Sequence, residues 1–253
     1  MFGATAEQNA QHKVEQTPEQ LLERAVQAIG GRKQLRKIES FQLHGVIRLP
    51  DDHPVVEVEL ATRQGGLVLG VMTYIGVGQS RFGSDGTTSW EQNLDANNGL
   101  TWNIIDSNAL SQKVQQMNWL EWFTMLPLQL EYMEVVGDEV FDGEPCWKVQ
   151  VETDEAKNQT IFFSKQTHRP KGRRTIEQTN GEGTAVKVYF RDWERVGDLL
   201  LFHKVIFESN DTTVTMKLDR IVLNKAKKDM FHLPEQIKLL RDNQIESAVD
   251  ASD

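Results

Sequence analysis

The feature that most constrains this chain is a change of hydrophobic period. From Phe41 onward apolar residues recur at every second position, the spacing of a strand with one buried face. Phe41, Leu43, Val46 and Leu49 lie in one such run, closed by a turn at Leu49-Pro50-Asp51-Asp52. Val56, Val58 and Leu60 alternate with Glu57, Glu59 and Ala61, and a third run covers Leu67 to Ile75. Trp147, Val149 and Val151 then share one face, with Lys148, Gln150 and Glu152 on the other. Further strands are expected at 160–164, 173–178, 185–193, 199–208 and 212–222. Asp85-Gly86, Asp142-Gly143 and Asn180-Gly181 are hairpin dipeptides, since these residues tolerate the positive φ that tight turns need. Roughly ten strands at short spacing, without intervening helices, predict an antiparallel sheet or barrel.

One segment breaks this pattern. Residues 106–132 open with Asp106 or Ser107 as a helix N-cap and place Leu110, Val114 and Met117 at helical spacing. Trp119-Leu120-Glu121-Trp122-Phe123-Thr124-Met125-Leu126 is apolar on nearly every side before Pro127 stops it. A helix apolar all round must be buried, and the sheet is the only partner large enough to bury it. The chain therefore reads as a mainly β (α+β) domain whose sheet curls around internal helices. An amino-terminal helix is also expected, with Thr17 as N-cap, Pro18 at N1 and Gln20 closing a capping box. Leu21, Leu22, Ala25, Val26 and Ile29 form its apolar face, and Gly30-Gly31 end it, with Leu35 and Ile38 suggesting a second short turn.

Residues 1–17 read as a flexible lead, 18–234 as a single domain and 235–253 as a carboxy-terminal tail that permits a helical turn or two. A chain of 253 residues is an ordinary length for one large β unit. Its formal charge of −9 argues against a nucleic-acid footprint and against binding to anionic membrane surfaces. Lys171, Arg173 and Arg174 do cluster, and read as a solvated strand end. No apolar run reaches the length of a membrane-spanning helix. The first residues, MFGATAEQNAQHK, lack a basic stretch followed by an apolar one, so no secretion signal is visible. A chain whose signal had been removed would look the same.

The search for chemistry returns negatives. There is no nucleophile elbow, phosphate-binding loop, dinucleotide fingerprint or zinc-protease motif. The single cysteine, Cys146, lies in a strand-like run and reads as a small core residue. The six histidines are scattered. Asp51, Asp52 and His53 are adjacent in a turn, where a weak cation site competes with a solvated loop. The glycines at 76, 78 and 83 fit bulges or turns. No catalytic residue, metal ligand or cofactor is assigned.

The positive signal is apolar. Leu110, Val114, Met117, Trp119, Leu120, Trp122, Phe123 and Leu126 are candidates to line a ligand pocket, facing inward strand positions such as Trp102, Trp147 and Val188. Met and aromatic linings suit irregular apolar ligands. On the residues alone, these side chains either line a cavity or fill the core.

The order of features resembles a known group. Ala28-Ile29-Gly30-Gly31, the strand Ile38-Glu39-Ser40-Phe41-Gln42-Leu43-His44-Gly45 and the hairpin Asp85-Gly86-Thr87-Thr88-Ser89-Trp90 resemble the outer-membrane lipoprotein-sorting proteins. So do Phe141-Asp142-Gly143-Glu144-Pro145-Cys146-Trp147-Lys148-Val149, Phe162-Phe163-Ser164-Lys165-Gln166-Thr167 and Met230-Phe231-His232-Leu233-Pro234. The similarity spans about residues 18–234. It implies an unclosed antiparallel β barrel covered by helices, as in the periplasmic lipoprotein carriers, which hold acyl chains between sheet and helices. By that resemblance the expected ligand is a lipid or lipoprotein acyl chain, the expected location periplasmic or exported, and other envelope proteins are possible partners. The alternatives are an envelope interaction protein with a packed core, and an enzyme acting on a hydrophobic substrate. The last requires titratable groups in the pocket, for example His44 or His203 beside a carboxylate.

Overall fold

The structure, a computed structural model, describes residues 16–51, 53–95, 99–117, 130–153, 159–179, 182–209 and 212–250. Helix α1 (Pro18–Ala28) is followed by the single turn α2 (Arg32–Leu35). Six strands come next: β1 (Ser40–Arg48), β2 (Pro54–Arg63), β3 (Leu67–Tyr74), β4 (Gly78–Asp85), β5 (Ser89–Asp95) and β6 (Gly99–Ile105). Helix α3 (Ser107–Met117) precedes β7 (Leu130–Phe141), β8 (Glu144–Thr153), β9 (Gln159–Ser164) and β10 (Pro170–Thr179). The last strands are β11 (Glu182–Val196), β12 (Leu199–Glu208) and β13 (Thr213–Leu223). A 3-10 turn (Lys228–Phe231) and helix α4 (Glu235–Asp250) close the described chain.

All 13 strands form one antiparallel sheet in the order β6-β5-β4-β3-β2-β1-β13-β12-β11-β10-β9-β8-β7. Two meanders are thus joined where β1 pairs with β13, and the middle of the chain supplies both edges. The sheet is curved and does not close into a barrel. Register shifts at His44/Gly45, Val135/Gly137 and Pro170/Gly172 are bulges that bend strands and sharpen their twist.

Strand alternation gives the sheet two different faces. On the inner face α1 places Leu21, Leu22 and Ala25, and α3 places Leu110 and Val114, in one cluster with residues of nearly every strand. Phe41, Leu43, Val58, Leu60, Val68, Phe82, Val149, Val151, Ile161, Val188 and Met216 all belong to it. The outer face carries three smaller clusters. Ala61, Ala226 and Phe231 form one, and Trp90, Leu233 and Ile237 a second. Phe141, Cys146 and Phe162 form the third, with Tyr189 against it.

The expected local signals act as their chemistry requires. The Thr17 hydroxyl accepts from the Gln20 amide at 3.3 Å, and the Gln20 side chain accepts from the Thr17 amide at 3.1 Å. Gly30 and Gly31 end α1 with φ of +129° and +84°, and the Gly31 amide donates back to the Val26 carbonyl. Asp142 and Gly143 both take positive φ in the β7–β8 hairpin, as a two-residue turn demands. Asp106 is the cap of α3, its carboxylate accepting from the Ala109 amide at 2.8 Å. Two readings change. The sheet has 13 strands where roughly ten were expected. Residues 235–250 form a 16-residue helix.

Gly70 shows why a strand glycine is required. It pairs with Phe82 across β3–β4, and a Cβ at Gly70 would lie 2.2 Å from the Phe82 ring. Gly70→Ala should therefore destabilise the protein by about 1–3 kcal/mol, the usual cost of overpacking. In a Phe82→Leu background the same substitution should cost less, because the colliding ring is gone. Urea unfolding of the two single variants and the double variant measures this coupling. Additive costs would show that the ring does not set the requirement.

Candidate functional site

The inner face is the candidate site, and two helices roof it. Leu110 and Val114 are four residues apart in α3, so one turn of helix separates them on the same side. Both are buried in the inner cluster. Lys113, between them in sequence, pairs with Glu91 of β5 at 3.0 Å and lies 5.9 Å above the Phe82 ring. At the other end, the Ile29 carbonyl just past α1 accepts from the Leu200 amide of β12.

The structure brings together some of the expected lining residues and separates one. Leu110, Val114 and Val188 are buried in the inner cluster, and Trp147 packs half-buried against it. Trp147 lies opposite Phe163 of β9, and the Lys165 ammonium sits 4.0 Å above its ring. Trp102 is on the other side of the sheet. It pairs with Gln92 and packs at a 5.8 Å ring separation from Trp90, beneath Leu233, Ile237 and Leu240. The register decides this: Trp90 faces Gly83, which faces Leu69, and that row belongs to the outer clusters. Trp119, Leu120, Trp122, Phe123 and Leu126 lie outside the described residues, as does the side chain of Met117.

The inner face also carries polar groups that the sequence reading did not place there. Lys171, Arg173 and Arg174 do not share one face as a solvated strand end would: alternation separates Arg173 from Arg174, and the bulge between Pro170 and Gly172 turns Lys171 away. Lys171 pairs with Glu144 at 3.0 Å and Asp142 at 3.5 Å. Arg174 pairs on the outer face with Glu139 at 2.7 Å and lies over the Phe162 ring. The Arg174 hydrogen bond is the main cause holding the Glu139 carboxyl below its ordinary range. Arg173 stands on the inner face instead, opposite Val188 on one side and Ile161 on the other. Its Nη1 donates to the Gln159 side chain at 3.4 Å. Gln159 and Thr175 are only 5% and 7% exposed on that same face, an unusual burial for polar side chains. Period-two alternation within β10 was the available signal.

His44 is on the outer side with Asp219, 3.7 Å from its carboxylate. His203 Nδ1 is 3.2 Å from the Leu201 carbonyl. Asp51 accepts from the His53 amide at 3.0 Å, closing the β1–β2 turn, and Asp52 lies outside the described residues. Among the described residues no group of three His, Cys, Asp or Glu could hold a metal ion. No described helix is long and apolar enough to cross a membrane.

This architecture recurs in solved structures. A LolA superfamily protein from Nitrosomonas europaea superposes with a TM-score of 0.58 at 12% identity, over 86% of this chain and 98% of that one. A DUF1329 family protein from Desulfovibrio piger gives 0.57 at 10%, over 85% and 97%. A candidate outer-membrane lipoprotein-sorting protein domain from Vibrio parahaemolyticus gives 0.51 at 9%, over 83% and 97%. The chain shares its fold with these structures, one of them a LolA superfamily protein. No protein-family profile matches the sequence, and no curated protein matches it significantly. At such identities it is the LolA-type backbone that is shared.

Cys146 has no place in this site. It is fully buried on the outer face beside Phe141 and Phe162. Burial, followed by the charge of Glu144, pushes its thiol up to about 11. A raised pKa means less thiolate at any pH below it, and the thiolate is the reactive form. At pH 8 the native thiol should react with a disulfide reagent at least about a hundredfold more slowly than the same thiol in urea. Fast, stoichiometric modification of the folded protein would contradict this burial.

Proposed function

We propose that the protein is a non-catalytic carrier of the bacterial cell envelope, holding an acyl chain of a lipid or lipoprotein between its curved sheet and the helices α1 and α3. The observation that carries this reading is the largely apolar inner face, which gathers residues of both meanders beneath α1 and α3. The LolA-type fold supports it, since one of its bearers is described as a candidate lipoprotein-sorting domain. The same likeness supports an exported location. The proposed wall comprises Leu110, Val114 and Trp147, with Met117, Trp119, Leu120, Trp122, Phe123 and Leu126 from the apolar segment. Trp102, on the opposite face, is not part of it. Each buried methylene contributes about 0.8 kcal/mol, so ten carbons supply about 8 kcal/mol before ordering costs. That is sufficient for reversible retention.

The purified protein should yield co-extracted lipid by mass spectrometry and take up a fluorescent long-chain fatty acid saturably. Val114→Trp, which enlarges a buried α3 side chain on the inner face, should weaken uptake about tenfold or more at temperatures where circular dichroism shows the variant folded. A protein that extracts no lipid and shows no saturable uptake does not carry acyl chains.

A second reading rests on a different observation. The β3–β4 and β5–β6 hairpins lie at the same end of the sheet and expose Val77 at 72% and Leu100 at 54%, with Ile75 and Leu94 beside them. Exposed aliphatic tips favour an envelope interaction protein. A Val77→Ser/Leu100→Ser variant that loses a measurable self-association in sedimentation would support that reading.

A further inference from the structure

We propose that the basic end of the β1–β13 seam is a docking surface for a membrane rich in anionic phospholipid. Two stretches form it. Residues 32–37 hold Arg32, Lys33, Arg36 and Lys37 with no acid between them. Residues 225–228 hold Lys225, Lys227 and Lys228, again with none. The two are far apart in the chain and side by side in the fold. The Asn224 side chain donates to the Lys37 carbonyl at 3.0 Å and accepts from the Glu39 amide at 2.7 Å. The Ala226 amide donates to the Ser40 hydroxyl at 3.1 Å. All seven cations are exposed. Arg32 pairs with Glu23 at 2.6 Å. Among the described residues no carboxylate pairs with Lys33, Arg36, Lys37, Lys225, Lys227 or Lys228. Glu39, which follows the first stretch, pairs with Arg63 at 3.4 Å, and Asp229 follows the second.

Elsewhere the chain neutralises its surface cations, setting Lys165 against Asp138 and Lys187 against Glu208. With 37 acids and 28 basic residues it has carboxylates enough to do so here as well. Clustered like charges repel one another, and they create a potential that gathers counter-ions. The net charge of −9 opposes docking only weakly. Charges farther from the contact than a Debye length, about 8 Å at physiological ionic strength, are largely screened, so local charge decides. A protein partner fits this surface poorly. Lysine is depleted at protein interfaces, whose binding energy comes from buried aromatic and arginine anchors. No large apolar side chain within either stretch is exposed. A headgroup layer needs no such anchor, because it attracts clustered cations by charge alone. None of these cations belongs to the inner-face cluster, so docking and acyl binding are separable.

Flotation with phosphatidylcholine vesicles, with and without about 30% phosphatidylglycerol, tests this at about 0.1 M NaCl. The full chain should float with the anionic vesicles and stay behind with the neutral ones, and about 0.5 M NaCl should release it. Each Lys or Arg near an anionic surface raises partitioning about fivefold, so Lys227→Glu/Lys228→Glu should lower it at least about twentyfold. Lys33→Glu/Arg36→Glu should lower it comparably, since both stretches meet the same lipid. Lys204→Glu/Lys217→Glu changes the net charge equally at two lysines that lie opposite each other within β12 and β13. That variant should lose less than about threefold. Each variant is measured where its circular dichroism matches that of wild type. No flotation with anionic vesicles, equal flotation with neutral ones, or an equal loss in all three variants overturns the surface. Retention on immobilised polyglutamate without vesicle binding assigns the cations to an acidic protein and overturns it too.

Discussion

The pairing of β1 with β13 is the interaction on which the rest of the structure depends. Each meander is built from local hairpins, but this one ladder joins residues such as Phe41 and Leu223 that are far apart in sequence. Without it there would be two separate sheets, each with an unburied inner face. Polar locks reinforce the seam. The Asn224 side chain accepts from the Glu39 amide at 2.7 Å and donates to the Lys37 carbonyl at 3.0 Å. The Ser40 hydroxyl accepts from the Ala226 amide at 3.1 Å, and Arg63 donates to the Ala226 carbonyl at 3.0 Å. Closing so long a loop costs entropy that grows only slowly with length, so one ladder with buried side chains can offset it. Leu43, Met216 and Leu218 provide that burial at the seam.

The half of the sheet away from the seam is stabilised differently. Every residue of β9 is buried, which is possible only because both of its faces are covered. Inside, Ile161 and Phe163 join the main cluster. Outside, Phe162 stacks on Phe141 at 4.0 Å, with Tyr189 a further layer. A polar network then covers the rings. Arg191 and Lys171 engage Asp142, Ser164 donates to Glu144 at 2.6 Å, and Tyr189 donates to Glu208 at 3.0 Å. Exposed ion pairs contribute little individually. The aromatic burial beneath them carries the stability, and the charges keep that layer wettable.

Much of this was legible in the sequence, because hairpin chemistry and alternation are local. β12 falls at the expected residues, the capping box at Thr17 forms, and the Asp-Gly turns join the strands they flank. β4 to β6 were harder to read. Gly78 and Gly83 interrupt β4, and Gln92 and Asn93 make β5 look like a loop, although the pairing with neighbours decides the matter. The face of Trp102 was not readable locally either, since it depends on the registers linking β6 through β5 and β4 to β3. Arg173 was misread because three basic residues within four positions suggest solvent, whereas a strand sends neighbours to opposite sides. α4 lacks a strong amphipathic stripe, and it is tertiary packing of Ile237 against Trp90 and Leu233 that gives it a buried face.

An unclosed sheet must also manage its two edges, which present unpaired backbone groups to other chains. The two edges are protected by different means. β6 is backed by α4, whose Ile237 and Leu240 pack near Trp102 and Ile104. β7 is long and exposes Val136 and Val140, so it needs another device. It has a bulge at Val135/Gly137, with Gly137 at φ +130°, which breaks the flat ladder that a second chain would extend. It also carries Glu134, Asp138 and Glu139 and no basic residue. Antiparallel pairing of two β7 edges would set carboxylate against carboxylate, and like charges directly opposite are destabilising. Closing the barrel would remove both edges, but it would also fix the volume between sheet and helices. The bulged, acidic edge lets the sheet stay open without inviting strand addition at β7.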